Sequence, residues 1–340
     1  MNVLSVESAG RVAVTTGGDA VGVRARPSAV ARRLAGIAAV NGGYFAADGN
    51  PAGVLASAGV LLSEPVGGRT ALALGDHERR LTALRFAGAV TLDGETRPLD
   101  GVNRRLGVVP ACGGRGGDCP TERPDAATTC TDPSEIVLFT PQWGSRAPAA
   151  DQHALVRAGL IAGRGRRAIP DDGMVLGATG SAARFFDEAG ATGAAAEADL
   201  GLHTPGGRLT IEGVAGIVGG GPRLLTNGRV RVRAAAEGFA PLSAPWFYGS
   251  FVASRHPRTL AGVRADGTLL LVTVDGRRPG WSAGVTLPET ARLMQALGAR
   301  DALNLDGGGS SAMTVRGRVV SRPSDPSGER PVSDALVVLP

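Results

Sequence analysis

Short apolar runs that stop at glycine, proline, aspartate or asparagine dominate the chain, and few show the three-to-four residue spacing of an amphipathic helix. The pattern predicts strands over 11–16, 37–40, 59–62, 71–74, 81–86, 135–139, 213–218, 260–263, 269–274, 302–305, 318–320 and 335–339. Helical signals are confined to 27–34, which opens on a proline, 181–189 after Gly180, and 286–297. In the last, Thr286-Leu287-Pro288-Glu289 reads as a capping box, Leu293, Ala296 and Leu297 share a face, and Gly298 is the stop. Glu289 is therefore expected to cap rather than to catalyse. Residues 103–133 lack periodicity and read as a long loop insertion. The expected fold class is α+β, a single β-rich domain of mixed sheets over 1–340 with few helices.

Composition narrows the class. At 340 residues and 43% hydrophobic content the chain can bury a sizeable core. No apolar run nears the roughly 20 residues that a membrane-spanning helix needs, so no membrane span is expected. The first residues, Met1 to Arg11, lack the basic and apolar regions of an export signal. A net charge of +5 raises nucleic acid as a partner, but the basic residues are all arginine and are scattered among acids. With aromatics at 4% there is no stacking platform, and no nucleic-acid partner is expected.

The three cysteines, Cys112, Cys119 and Cys130, all fall in the 103–133 insertion. Without a C-x-x-C pair or a nearby histidine they do not suit zinc, and one disulfide plus an odd thiol is expected. A loop that cannot build its own core gains order from such a bridge, which points to an oxidising compartment. No metal-ligand spacing occurs elsewhere, and no cofactor is expected.

The densest chemistry lies in Ala302-Leu303-Asn304-Leu305-Asp306-Gly307-Gly308-Gly309-Ser310-Ser311-Ala312-Met313. Strand alternation turns Leu303 and Leu305 to a core and Asn304 and Asp306 the other way. Three glycines then leave backbone N–H groups open to close approach by an anion, beside the Ser310 and Ser311 hydroxyls. Related features are Asn41-Gly42-Gly43-Tyr44-Phe45, Gly219-Gly220-Gly221-Pro222, Ser254-Arg255-His256-Pro257-Arg258-Thr259 and Asp275-Gly276-Arg277. An anion cradle, two strand-end carboxylates and several arginines suit acid–base cleavage of a phosphorylated, polyhydroxylated substrate.

Two generic motifs fail on context. Gly280-Trp281-Ser282-Ala283-Gly284 fits a nucleophile elbow, but a polar turn precedes it and all four histidines lie before Ser282. Gly307-x-Gly309-x-x-Ala312 fits a loose dinucleotide fingerprint, but β-type sequence containing Gly317 follows where a helix is required.

N-G-G-Y-F at Asn41, G-G-G-P at Gly219, R-H-P-R-T at Arg255, V-D-G-R at Val274, G-W-S-A-G-V-T-L-P-E at Gly280, D-A-L-N-L-D-G-G-G-S-S-A-M at Asp301 and E-R-P-V-S-D-A-L at Glu329 together resemble the phosphodiester glycosidase family. The resemblance implies hydrolysis of the glycosidic bond of a sugar-1-phosphodiester, giving free sugar and a phosphomonoester. It implies Asp306, Asp275 and Arg258 as catalytic residues. Substrate contacts would come from Asn41, Gly42, Gly43, Tyr44, Gly220, Gly221, Arg255, His256, Arg277, Trp281, Ser282, Asn304, Gly307, Gly308, Gly309 and Ser310. Arg258 and Arg255 would bind the phosphate and Trp281 would stack on the sugar. It also implies a Cys112–Cys130 disulfide with Cys119 spare, and a secreted or envelope-facing protein. The competing readings are a non-catalytic carbohydrate- or phosphate-binding domain and a serine hydrolase built on Ser282 or Ser310.

Overall fold

The computed structural model describes residues 1–75, 78–92, 94–112, 124–156, 165–188 and 196–340. The fold is α+β and strand-rich, and its sheets are antiparallel apart from Gly101–Val102 beside Ile136–Phe139, the one parallel pairing among the described residues. Three sheets set up the candidate site. One orders Asn2–Val6, Leu269–Val274, Arg258–Val263, Asp301–Asn304, Arg223–Thr226 and Arg229–Val230. A second orders Val12–Thr16, Asp334–Val338, Ala38–Asn41, Met313–Val315 and Arg318–Val319. The third orders Val60–Ser63, Leu55–Ser57, Val214–Gly219, Thr70–Gly75 and Arg79–Ala83.

Burial explains why these strands read as they do. Leu269–Val274 is buried at every position. Leu269 and Leu271 enter a core shared with Val40, Leu72, Val218 and Leu336, while Leu270 and Val272 meet the helix Leu287–Ala296 through Leu287, Ala291 and Met294. A strand covered on both faces is a continuous apolar run, not an alternation. In Thr70–Gly75, Leu72 and Leu74 face that shared core and Ala71 and Ala73 face a second one with Leu138, Leu176 and Phe186.

The helix Leu287–Ala296 has the expected capping box: Glu289 N donates to Thr286 Oγ1 at 3.3 Å and Thr286 N donates to Glu289 Oε2 at 2.8 Å. Pro27–Arg33 is also helical. Residues 181–189 differ from expectation. A 3-10 turn, Gly180–Ala183, leads into a short α-helix, Arg184–Glu188, and Ala189 lies outside the described residues. The expected strand over 81–86 is two strands, Arg79–Ala83 and Arg85–Phe86, parted where Leu84 turns fully into the second core. An unforeseen segment, Pro245–Phe247 followed by the π-helical Tyr248–Ala253, has no apolar periodicity. Ring stacking holds it instead, Phe247 on Phe251 at 5.3 Å and Phe251 on Phe239 at 5.2 Å.

The insertion over 103–133 is not wholly irregular, because Val109–Pro110 pairs with Thr129–Cys130 in a hairpin too short to show a period. Cys112 and Cys130 are disulfide-bonded with Cα atoms 5.8 Å apart, and Cys119 lies outside the described residues. The loop leans on a neighbour, since Ala126 N donates to Gly238 O at 2.9 Å and Ser243 Oγ donates to Asp125.

Closing a loop with a sequence separation of 18 restricts the unfolded chain. Replacing both cysteines, Cys112→Ser with Cys130→Ser, is expected to cost about 3 kcal/mol. Urea unfolding of the variant should then match that of the reduced wild type.

Candidate active site

Asn41, at the end of Ala38–Asn41, organises the site. It is fully buried, and its Oδ1 accepts from Thr259 Oγ1 at 2.7 Å and from Ala312 N at 3.1 Å. Its Nδ2 donates to Asp306 O at 2.8 Å. One carboxamide thus ties strands of two sheets to the glycine loop, which makes Asn41 a clamp rather than an open wall of a sugar pocket. Beyond it, Tyr44 Oη donates to Gly221 O at 2.6 Å and accepts from Asn304 Nδ2 at 2.7 Å. Gly221 N donates to Asn304 O at 2.7 Å, so Asn41, Tyr44, Gly220, Gly221 and Asn304 meet at one place. Asn304 Oδ1 is buried there without a hydrogen-bond partner among the described residues, as is Ser311 Oγ past the glycine loop.

Each glycine of the triple-glycine loop lies against a different arginine. A Cβ on Gly307 would come 2.9 Å from Pro257 O and 3.7 Å from Arg258 Cδ. On Gly308, whose φ is +59°, it would sit 3.2 Å from Arg277 Nη1. On Gly309 it would lie 2.1 Å from Arg330 Nη2, an overlap no side chain tolerates. The glycines are there because three guanidinium-bearing chains approach the backbone.

Those arginines are held differently. Arg258 is buried, donates from Nη2 to Phe251 O and Ser254 O and from Nε to Val285 O, and lies over the Phe251 ring at 5.1 Å. Its Nη1 has no partner among the described residues. Burial lowers its pKa to about 10, so it stays charged at neutral pH. Arg277 donates from Nη2 to His256 Nδ1 at 3.0 Å, while His256 Nε2 donates to Ser250 O at 2.6 Å. Burial, Arg258 and Arg277 lower the pKa of His256 and keep it a neutral acceptor. Arg330 is forked onto Asp325.

Two carboxylates sit beside this cradle. Asp306 Oδ1 accepts from Gly307 N at 2.9 Å, and burial raises its pKa to about 6 against the pull of the Ser310 hydroxyl, the Gly307 amide and Arg330. Asp334, fully buried, accepts from Gly43 N at 2.7 Å. Burial raises its pKa to about 7, with the Gly43 amide opposing and the charge of Asp306 adding to the rise. The two are linked through Gly42, whose N–H donates to Asp334 O and whose carbonyl accepts from Asp306 N, both at 3.0 Å. A Cβ on Gly42 would fall 1.9 Å from Asp334 Oδ1.

Other expected residues have different duties. Arg255 donates to Gly284 O and forms an ion pair with the helix-capping Glu289, so its charge serves the cap. Asp275 accepts from Trp281 Nε1 at 3.1 Å and from Arg322 N at 2.9 Å, which engages both of its oxygens. Ser282 Oγ donates to Asp275 O at 2.6 Å and accepts from Gly284 N, with no histidine on it. Trp281 is stacked on one face by Arg322 at 3.5 Å. Asp334 and Arg330 were missing from the sequence-derived set although E-R-P-V-S-D-A-L contains both.

The strand-rich α+β body thus brings a triple-glycine loop, arginines and two carboxylates of raised pKa together. A family model described as phosphodiester glycosidase matches residues 154–339, more than half of the chain. A solved protein of Burkholderia pseudomallei K96243, described as exported, is 30% identical with a TM-score of 0.88, over 99% of this chain and 73% of that one. The chain belongs to the phosphodiester glycosidase family. A hypothetical protein from Synechocystis shares the fold, with 23% identity and a TM-score of 0.74 over 99% of this chain and 58% of the other. The SPbeta prophage-derived uncharacterized protein YomE of Bacillus subtilis strain 168 is 43% identical over 84 residues, a match spanning 25% of this chain and only 13% of YomE.

The raised pKa of Asp334 makes stability fall with pH. An unfolded carboxylate titrates near about 4, so the folded state holds the extra proton between there and about 7. The stability tied to that proton is complete below the lower value and lost as pH rises through the upper one. Asp334→Asn is expected to raise stability at pH 8 by on the order of 1–3 kcal/mol and to change it little at pH 4, as read from urea midpoints at the two pH values.

Proposed function

We propose that the protein hydrolyses the glycosidic bond of a sugar-1-phosphodiester, releasing free sugar and a phosphomonoester. The observation that carries this reading is the pairing of an anion cradle with ionisable carboxylates at one loop. The guanidiniums of Arg258 and Arg277, which no carboxylate pairs, suit the phosphate beside the glycine loop, where Gly307 N is held by Asp306, Gly308 N by Pro257 O and Arg330 by Asp325. On the sugar side, Tyr44, which is partly exposed, and Asn304 Oδ1, which has no partner among the described residues, suit sugar hydroxyls.

In this reading the cradle stabilises charge as it develops on the departing phosphate, the kind of electrostatic help that dominates many enzymatic rate gains. A phosphodiester leaves readily, so no strong general acid is required. Asp306 acts on the sugar side as base or nucleophile, its raised pKa keeping it basic enough to accept a proton. Asp334 is the positioning carboxylate that fixes the Gly42-Gly43 turn behind Asp306, and the charge of Asp306 adds to the rise in its pKa. Asp275 holds the Trp281 turn in place. The disulfide and the exported relative support an oxidising, extracytoplasmic location.

Sugar release from a sugar-1-phosphodiester, followed with purified protein, tests the reading. Asp306→Asn should lower kcat by roughly 10²- to 10⁴-fold with the fold intact. The wild-type rate should decline as pH falls below about 6, where Asp306 protonates. Binding without turnover in the wild type would sink the enzymatic claim, and full activity in Asp306→Asn would sink the role given to that carboxylate.

A further inference from the structure

Next to the cradle lies a second basic surface of which the reaction as described uses only Arg277. Residues 277–283 form a tight turn in which Arg278 N donates to Ser282 O at 3.0 Å and Arg277 N to Ala283 O at 3.4 Å. The turn encloses an open concavity of about 530 Å³ lined by Arg277, Arg278, Trp281 and their neighbours. It is fastened to the chain at 322–323. Arg278 donates from Nε to Pro323 O at 3.1 Å, Arg322 N donates to Asp275 Oδ1, and Trp281 Nε1 donates to Asp275 Oδ2. The Arg322 guanidinium carbon then lies over the Trp281 ring, 3.5 Å from its centroid.

This platform is pre-organised and its charge is poorly balanced. Arg277, Arg278 and Arg322 are all exposed, and none forms an ion pair among the described residues. The carboxylate fastened to the turn, Asp275, is buried and accepts from the Trp281 indole and the Arg322 backbone amide, while Asp325 is paired with Arg330. Arg278 and Arg322 therefore carry charge that no ion pair among the described residues offsets. Stacking on Trp281 fixes the plane of Arg322 without using its N–H donors, which leaves the fork free for an anion. Arg277 lies over Gly308 in the cradle and also lines the concavity, so the two anion-binding regions adjoin.

We propose that the Arg278–Trp281–Arg322 platform binds a second anionic group on the leaving-group side of the substrate. The substrate class is then an extended phosphodiester whose aglycone carries a further phosphate, as in a chain of phosphate-linked sugar or polyol units, rather than a sugar phosphate with a neutral aglycone. This inference rests on the hydrolase reading above.

Two sugar-1-phosphodiesters with the same sugar test it, one with an uncharged alkyl aglycone and one whose aglycone carries a second phosphate. Wild type should favour the doubly anionic substrate by about tenfold or more in kcat/KM, chiefly through KM, and the preference should shrink as salt is added. In Arg322→Gln the ratio should fall toward one, and Arg322→Lys, which keeps the charge but not the planar fork, should fall between. Equal kcat/KM for the two substrates in wild type, or a ratio unchanged in Arg322→Gln, overturns the platform while leaving hydrolysis of the neutral substrate as evidence for the reaction. If neither substrate is cleaved the hydrolase reading fails, and calorimetric binding of a phosphodiester-linked glycerol phosphate dimer to wild type and Arg322→Gln decides the platform alone. Tighter binding by wild type supports it, and equal affinity overturns it.

Discussion

The geometry of the site hangs on the side chain of Asn41. Its carboxamide uses three of its four hydrogen-bonding positions on other segments: Thr259 from the six-stranded sheet, Ala312 beyond the glycine loop, and the carbonyl of Asp306 itself. A buried amide paired to three separate segments specifies one arrangement, because any slip strands a polar group away from water. With Ala335 opposite Asn41 in the neighbouring strand, the same clamp sets Asp334 beside Gly42 and Gly43. The two carboxylates and the glycine loop therefore share one point of reference.

Electrostatics divides the site into two halves. On one side carboxylates are forced into surroundings that disfavour their charge, and both titrate far above an ordinary aspartate. On the other, arginines crowd a backbone stripped of side chains. The halves meet at Asp306-Gly307, where the acid accepts from the first amide of the cradle. The positive side is also sustained by a neutral histidine, since Arg277 is held by His256 Nδ1, an acceptor available only while the ring is unprotonated.

Much of this was legible in the chain. The loop at 306–310, the alternation that sends Leu303 and Leu305 inward, and the capping role of Glu289 follow from periodicity and local chemistry. Arg255 and Arg258 look alike in sequence, but one sits outside the strand and reaches a helix cap while the other, at the start of Arg258–Val263, is buried. Asp334 was invisible as a site residue because its meaning depends on a pairing between strands almost 300 positions apart, Gly43 N being its donor with a sequence separation of 291. Arg330 was hidden for a similar reason: only the fold brings it under Gly309. The aromatic segment before Ser254 escaped because its order comes from stacked rings rather than from a repeating pattern.

The disulfide-closed loop reaches further than its own hairpin. Through Ala126 it hydrogen-bonds Gly238, and the residue on either side of Gly238 belongs to the back of the site: Glu237 accepts from Thr70 and Phe239 packs on Tyr44 at 5.8 Å. Tyr44 in turn props Gly221 and Asn304. A covalent tie formed by oxidation is thus connected, contact by contact, to the floor against which a sugar would rest. For this molecule, the bridge that closes the hairpin is also a brace behind Tyr44.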